Sequence, residues 1–325
     1  MDMGTMAERQ IIATYRLTRA TIQDLCVLLD PALPLGNRNQ HAIPTEVQVL
    51  SALHFLATGS FQVTVGMSAG FSQPMFIQVL TKFLNAFVQH LQSYVRFPQS
   101  TELPAIKSDF YAFANISHVI GAIDGTHIAI IPPRVSEQVY RNRKNFHFMN
   151  IQLVCTADQY ISHVNAMFPG SVHDSIVLRN SSVPQKMEQL QEDRGWIIGD
   201  SGYPNLRWLL TPVRNPRTDA ERNYNEAHGR TRRVIERTIG LLKARFRCLH
   251  ISGGSLAYGP DKVCRIVVAS CMLYNVAVRH SIPLLEVEGA IGPDQLPQRG
   301  EERDGEDEEG EDANSKNQMI QLYFQ

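Results

Sequence analysis

Apolar side chains recur at helical spacing over residues 19–29 and 45–57, and the pattern predicts a helix in each stretch. Thr45, with Gln48 three residues on and Pro44 before it, reads as a capping-box start, and Gly59 and Ser60 close that helix. A short segment 61–69, a turn at Gly70 and Ser72 as N-cap of a long helix to about Val95 follow. Helix, short helix, turn and long helix make the outline of a helix-turn-helix. From Val119 the period changes. HVIGAIDGTHIAII predicts two apolar strands separated by an Asp-Gly-Thr turn, and FMNIQLVCTAD and YISHVNAMFPG predict two more, joined by a turn at Asp158–Gln159. Helices are expected from Ser171 to Leu178 and over 183–192, strands at WIIGD (196–200) and WLLTPV (208–213), and helices over 219–227, 230–248 and 261–279. Strands in succession, then alternating helices and strands, give a mixed α/β layout.

Composition divides the chain further. Residues from about 285 on are rich in Gly, Pro and acids and are expected to be disordered. Residues 294–312 carry ten acids against Arg299 and Arg303, whereas residues 205–250 hold eleven Lys and Arg against four acids. The net charge of −1 therefore conceals a basic body and an acidic tail, and polyanion binding is not excluded. Five cysteines without a CxxC argue against a disulfide framework or a structural zinc site. No apolar run has the ~18 residues a membrane helix needs, and MDMGTMAERQ lacks the order of a secretory leader.

Three acids stand out. Asp124 and Asp200 each end an apolar strand and precede a small residue or glycine, which suggests a shared rim, although each alone also reads as a turn aspartate. On a helical wheel at ~100° per residue, Ile239, Leu242, Phe246 and Leu249 fall within about 40° of Ile235. Arg232, Glu236 and Lys243 form a polar line beside that stripe, at about +60°, +100° and +80°. A solvated i, i+4 ion pair explains Arg232 and Glu236 equally well. Asp174, in PGSVHDS, reads as a first-turn helix residue or as a fourth acid. If such acids converge, two carboxylates ~4 Å apart at an effective dielectric of ~20 repel by about 4 kcal/mol. A divalent cation removes that repulsion, and hard oxygen ligands select Mg²⁺ or Mn²⁺.

GAIDGTHIAI, PGSVHDS, GDSGYP and RRVIERTIGLLKARFRCL, in this order, resemble the transposases of the PIF/Harbinger superfamily and the nucleases derived from them. The resemblance runs from the helical N-terminal part to about residue 280. Between Asp200 and Glu236 lie 35 residues, the interval of the DD35E class. Arg232, Glu236 and Lys243 also match the Arg-x3-Glu-x6-Lys part of a signature of related bacterial transposases, with Gly229 where a tyrosine is expected.

The resemblance implies an RNase H-like (DDE transposase/integrase) catalytic core over 116–284, behind an all-helical, helix-turn-helix-like region (1–115) and before an acidic tail (285–325). It implies Asp124, Asp200 and Glu236 as catalytic metal ligands for Mg²⁺ or Mn²⁺, and Asp174 as a further metal ligand. Lys243, Arg232, Arg233, Arg143 and Lys144 are the expected contacts to DNA phosphate. The expected activity is cleavage of phosphodiester bonds in DNA, with strand transfer if the chain is a full transposase. The expected partners are DNA, a Myb/SANT-like protein that recognises DNA and carries the chain from cytoplasm to nucleus, and further copies in a homo-oligomer. SQPMFIQVLTKF contains only Lys82 as a base, which suits a packing or partner surface better than base readout. The rival class is a catalytically idle DNA-binding or scaffold protein working through the same Myb/SANT-like partner. Phe146, His147 and Phe148 follow the basic cluster Arg141, Arg143 and Lys144, which reads as a phosphate grip or as a solvated loop.

Overall fold

The computed structural model describes residues 3–33, 43–141, 145–190, 195–285 and, near the C-terminus, 316, 317, 320, 321 and 324. The helical residues before the first strand form α1 (Glu8–Tyr15), α2 (Arg19–Leu29), α3 (Thr45–Thr58), α4 (Gln62–Ala69), α5 (Gln73–Val88), α6 (Leu91–Tyr94) and α7 (Leu103–Ala114). Then come β1 (Val119–Ala129), β2 (Phe148–Cys155), β3 (Ile161–Pro169), α8 (Asp174–Arg179), α9 (Val183–Gln189), β4 (Trp196–Ile198), β5 (Leu209–Leu210), α10 (Asp219–Arg245) and α11 (Pro260–Arg279). Two compact units result, and neither is continuous in the chain. One draws on 1–95, 128–149 and 240–296, the other on 96–127, 150–239 and 297–325.

In the first unit, α1 to α5 and α11 bury aliphatic and aromatic side chains around Leu50, Leu53, Leu56, Phe76, Phe83 and Phe87. Ser72 caps α5 as its position predicts, its hydroxyl accepting from the Met75 N–H. Gly59 ends α3 at φ 67°, the left-handed conformation that favours glycine. The expected long helix stops at Val88. A turn at Gln89 and His90 brings the ring of Tyr94 over Phe87, with centroids 5.4 Å apart. The Tyr94 carbonyl then accepts a 2.8 Å bond from Asn275 Nδ2. Buried Arg245 donates to the carbonyls of Arg16 (3.0 Å) and Ile282 (2.8 Å), so its charge is met by backbone dipoles.

The sheet has the order β3-β2-β1-β4-β5. β4 lies parallel to both β1 and β5. Only residues 156–160 join β2 to β3, a connection short enough for an antiparallel pair alone. Gln159 turns there at φ 68°, at the predicted Asp158–Gln159 corner. One apolar cluster gathers Ile120, Ile123, Val154, Leu178, Ile197, Tyr203 and Leu209. A second gathers Phe110, Val119, Ile198, Leu210, Tyr224, Ala227 and Ile320.

The structure corrects several expectations. HVIGAIDGTHIAII is one strand: β1 has a hydrogen-bonded neighbour on each side, so its backbone stays extended through Asp-Gly-Thr. The helices expected over 219–227 and 230–248 are one helix of 27 residues, because Gly229 does not break the ladder. The helix expected from Ser171 starts at Asp174. Most of the acidic tail lies outside the described residues. Among those described, Lys316, Asn317, Ile320 and Gln321 are helical rather than disordered, because Ile320 is buried at 3% exposure against the second cluster. Phe324 stacks edge-on against Tyr224, with centroids 5.6 Å apart.

Ile320→Ala should therefore lower the unfolding free energy by about 2–4 kcal/mol. Equilibrium denaturation measures it, and a loss under about 0.5 kcal/mol, the range of an exposed site, would show that the segment contributes nothing to the core.

Candidate active site

A strand register leads to Asp124 and Asp200. β1 and β4 pair in parallel with Gly121 opposite Ile197 and Ala122 opposite Ile198. Asp124 and Asp200 each follow that last pair by two residues, and the charge of Asp200 acts on the Asp124 carboxyl. Gly199 permits close packing here: a β-carbon there would stand 3.0 Å from both Ile123 Cγ2 and Tyr203 Cδ2. Each carboxylate is fixed by a following backbone amide. Gly125 N–H donates to Asp124 Oδ1 at 2.8 Å, and Gly202 N–H donates to Asp200 Oδ1 at 3.0 Å.

Glu236 reaches Asp124 through Arg232. The Arg232 Nη1 donates to Asp124 Oδ2 at 3.0 Å, and Nη2 donates to Glu236 Oε1. One guanidinium thus spans an acid of β1 and an acid of α10. The helix is held for this by Tyr224 and Ala227 in the second cluster, by the Tyr224 hydroxyl on the Thr211 carbonyl (2.9 Å), and by Thr238 Oγ1 against Cys155 Sγ (3.5 Å). The Asp124 side chain is 13% exposed and that of Glu236 45%. Burial, aided by the charge of Asp200 and opposed by Arg232, pushes the Asp124 carboxyl up to about 7, with a smaller push from Glu236.

Asp174 opens α8 and is 2% exposed. Its carboxylate lies against Gly125, where an added β-carbon would stand 2.6 Å from Asp174 Oδ1. Asn150 Nδ2 donates to the same oxygen at 3.2 Å. Asp124, Asp174, Asp200 and Glu236 are therefore linked by direct contacts, shared neighbours or mutual charge effects. Among the described residues, however, no group of three or more His, Cys, Asp or Glu side chains is arranged to hold a metal ion. The cation between Asp124 and Glu236 is Arg232.

The expected phosphate contacts fare differently. Arg233 is exposed on α10. Lys243 lies within the first unit and is 4% exposed, because the last turns of α10 are enclosed there. Arg143 and Lys144 fall outside the described residues, while Arg141 is exposed. Sequence reasoning missed Asn150 and Gln152, although two amides in the otherwise apolar run FMNIQLVC are a visible signal.

Comparison with known proteins adds a family. Residues 123–275, which contain all four acids, match the model of the DDE superfamily endonucleases. The Rattus norvegicus protein "Putative nuclease HARBI1" is 33% identical over 99% of this chain and 92% of its own length. The Homo sapiens protein of the same name is 35% identical over 86% of this chain and 80% of its own. The Arabidopsis thaliana protein "Antagonist of like heterochromatin protein 1" is 28% identical over 81% of this chain and 72% of its own. No solved structure matches the chain.

Two outcomes follow from the geometry. An unfolded aspartate loses its proton near 3.8, but Asp124 in the folded chain keeps it to about 7. Across that window the folded chain holds a proton that the unfolded chain has lost, so Asp124 withdraws stability as pH rises. In chelator, the melting temperature of Asp124→Asn relative to the parent should rise steadily from pH 4 to pH 7.5; a constant difference across that range would refute the shift. Gly125→Ala should cost about 1–3 kcal/mol by overpacking. Most of that cost should vanish in an Asp174→Ala background, whereas strict additivity would place the clash elsewhere.

Proposed function

The chain belongs to the Harbinger transposase-derived DDE endonucleases, and from that membership we propose that it cleaves phosphodiester bonds in DNA with divalent metal ions held by Asp124, Asp200 and Glu236. Asp174 is a further ligand in this reading. The observation that supports it is that Arg232 bridges Asp124 and Glu236, acids 112 positions apart, while the charge of Asp200 acts on the same Asp124 carboxyl. The sheet order, with antiparallel strands on one flank and parallel strands on the other, supports an RNase H-like core. The proposed division remains a helical region to residue 115 and a catalytic core over 116–284.

The donors fit a hard cation. All are carboxylate oxygens, and the Asp124 carboxyl, raised first by burial and then by the charge of Asp200, is one whose ionised form a bound cation would favour. Mg²⁺ or Mn²⁺ bound there would supply activation of a water and stabilisation of the leaving oxygen in an in-line attack on phosphorus. The chain's own groups do the rest. The Gly125 and Gly202 amides keep Asp124 and Asp200 oriented. Arg232, released from its two acids, presents a planar fork that matches phosphate oxygens, and exposed Arg233 adds a second charge. Arg143 and Lys144 belong to the same proposed grip. Lys243 at 4% exposure would take part only after rearrangement. A Myb/SANT-like protein for DNA recognition, delivery from cytoplasm to nucleus, a homo-oligomer and strand transfer complete the proposal.

A second reading has its own observation. Arg232 already pairs with two of the acids, as in a protein that keeps them as structure. One relative is named an antagonist of like heterochromatin protein 1 rather than a nuclease. On this reading the chain is an idle DNA-binding or scaffold protein.

Nicking of supercoiled DNA in Mn²⁺ separates the two. The parent should nick, and Asp200→Ala should lose at least about 100-fold in rate, since metal stabilisation of the transition state is worth several kcal/mol, while its circular dichroism stays unchanged. Cleavage undiminished in Asp200→Ala removes the assignment, and a parent that neither nicks nor binds Mn²⁺ saturably favours the idle protein.

A further inference from the structure

Every residue of β2 is buried, and its composition is apolar except at Asn150 and Gln152. These two are fully buried and point to the same face of the sheet, two residues apart. Val154, two residues further, lies on that face in the cluster with Ile123, Leu178 and Tyr203. The amides therefore stand where that core stripe runs out toward the acids.

Both use their donors on the acid-bearing segments. Asn150 Nδ2 donates to the Val172 carbonyl at 2.8 Å and to Asp174 Oδ1 at 3.2 Å, gripping the turn into α8 and the carboxylate that opens it. Gln152 Nε2 donates to the Tyr203 hydroxyl at 3.3 Å. Tyr203 belongs to the Asp200 turn, its own N–H donating to the Asp200 carbonyl at 3.3 Å. Among the described residues no side chain or backbone group donates to Asn150 Oδ1 or Gln152 Oε1. A buried acceptor without a donor is rare, and an apolar residue of the same shape would fill the space without that penalty. Packing alone thus does not account for two amides here. What leucine cannot supply is a neutral donor aimed at Asp174 and at the residue that props Asp200. Aspartate at position 150 would instead face Asp174 with like charge.

We infer that Asn150 and Gln152 are positioning residues, which set the Asp174 carboxylate and the Asp200 turn against β1 for metal binding. This rests on the metal-dependent reading above. Hydrogen bonds behind a ligand typically govern metal affinity 10–100-fold.

The test measures Mn²⁺ binding by electron paramagnetic resonance on the full chain, with thermal unfolding in chelator beside it. Asn150→Leu and Gln152→Leu should each weaken Mn²⁺ binding about 10–100-fold, with a metal-free melting temperature equal to the parent's or higher. In an Asp174→Ala background, Asn150→Leu should weaken it no further. Should a leucine variant not fold, Asn150→Ser and Gln152→Ser, too short to reach their partners, carry the same expectation. Parent-like Mn²⁺ affinity with a lowered melting temperature assigns the amides to packing and overturns the inference. So does an Asn150→Leu loss of equal size with and without Asp174. A parent chain without a saturable Mn²⁺ site overturns the metal-dependent reading itself, and the inference with it.

Discussion

Two aspartates that follow a parallel strand pairing constrain everything around them. Asp124 and Asp200 each stand two residues beyond the last pair of β1 and β4, Ala122 with Ile198, and the charge of Asp200 adds to burial in raising the Asp124 carboxyl. The surroundings answer locally. Each carboxylate accepts the amide of a nearby glycine, Gly125 or Gly202. Gly125 serves a second purpose by leaving room for Asp174, and a further glycine, Gly199, leaves room for Ile123 and Tyr203. The short motifs around the acids are thus packing requirements as much as chemical ones. Where two acids must approach, neighbouring side chains have to be absent.

The remaining charge is met from the opposite side of the sheet by α10. A helix of 27 residues has enough length to be anchored at Tyr224 and Ala227 and still carry Arg232 and Glu236 past the strand ends. A break at Gly229 would separate the anchor from the guanidinium it positions. The uninterrupted helix therefore matters more than any residue on it, because one rigid element transmits the apolar packing of Tyr224 to the geometry of Arg232.

Much of this was readable in the chain, and the pattern of failures is physical. Strand ends at Asp124 and Asp200 follow from apolar runs that stop at an acid, and the i, i+4 relation of Arg232 and Glu236 follows from helical period alone. What local sequence does not contain is register. That Asp124 meets Asp200 depends on which residues pair across two strands far apart in the chain. The Asp-Gly-Thr segment reads as a turn in isolation, but neighbours on both sides of β1 hold it extended. A helical wheel sets Lys243 in line with Arg232 and Glu236, yet it knows nothing of what encloses each turn, and Lys243 is buried. Asn150 and Gln152 escaped because attention to carboxylates passes over neutral amides, although polar residues in an apolar strand are the feature that demands a partner.

Arg232 limits what the site can do at any one time. A guanidinium that spans Asp124 and Glu236 occupies the oxygen atoms that a metal ion would need and spends the fork that a phosphate would need. On the metal-dependent reading these demands do not compete; they are consecutive. Asp124 and Glu236, were they to hold a divalent ion with twice the charge of arginine, would free the guanidinium. The freed guanidinium would then match the oxygens of a DNA phosphate. On that reading each event would favour the other, and the coupling through Arg232 would be reciprocal. The ion pairs of Arg232 with Asp124 and Glu236 are in that case compatible with catalysis. Acids drawn to one place need a cation among them, and arginine is the one the chain carries with it.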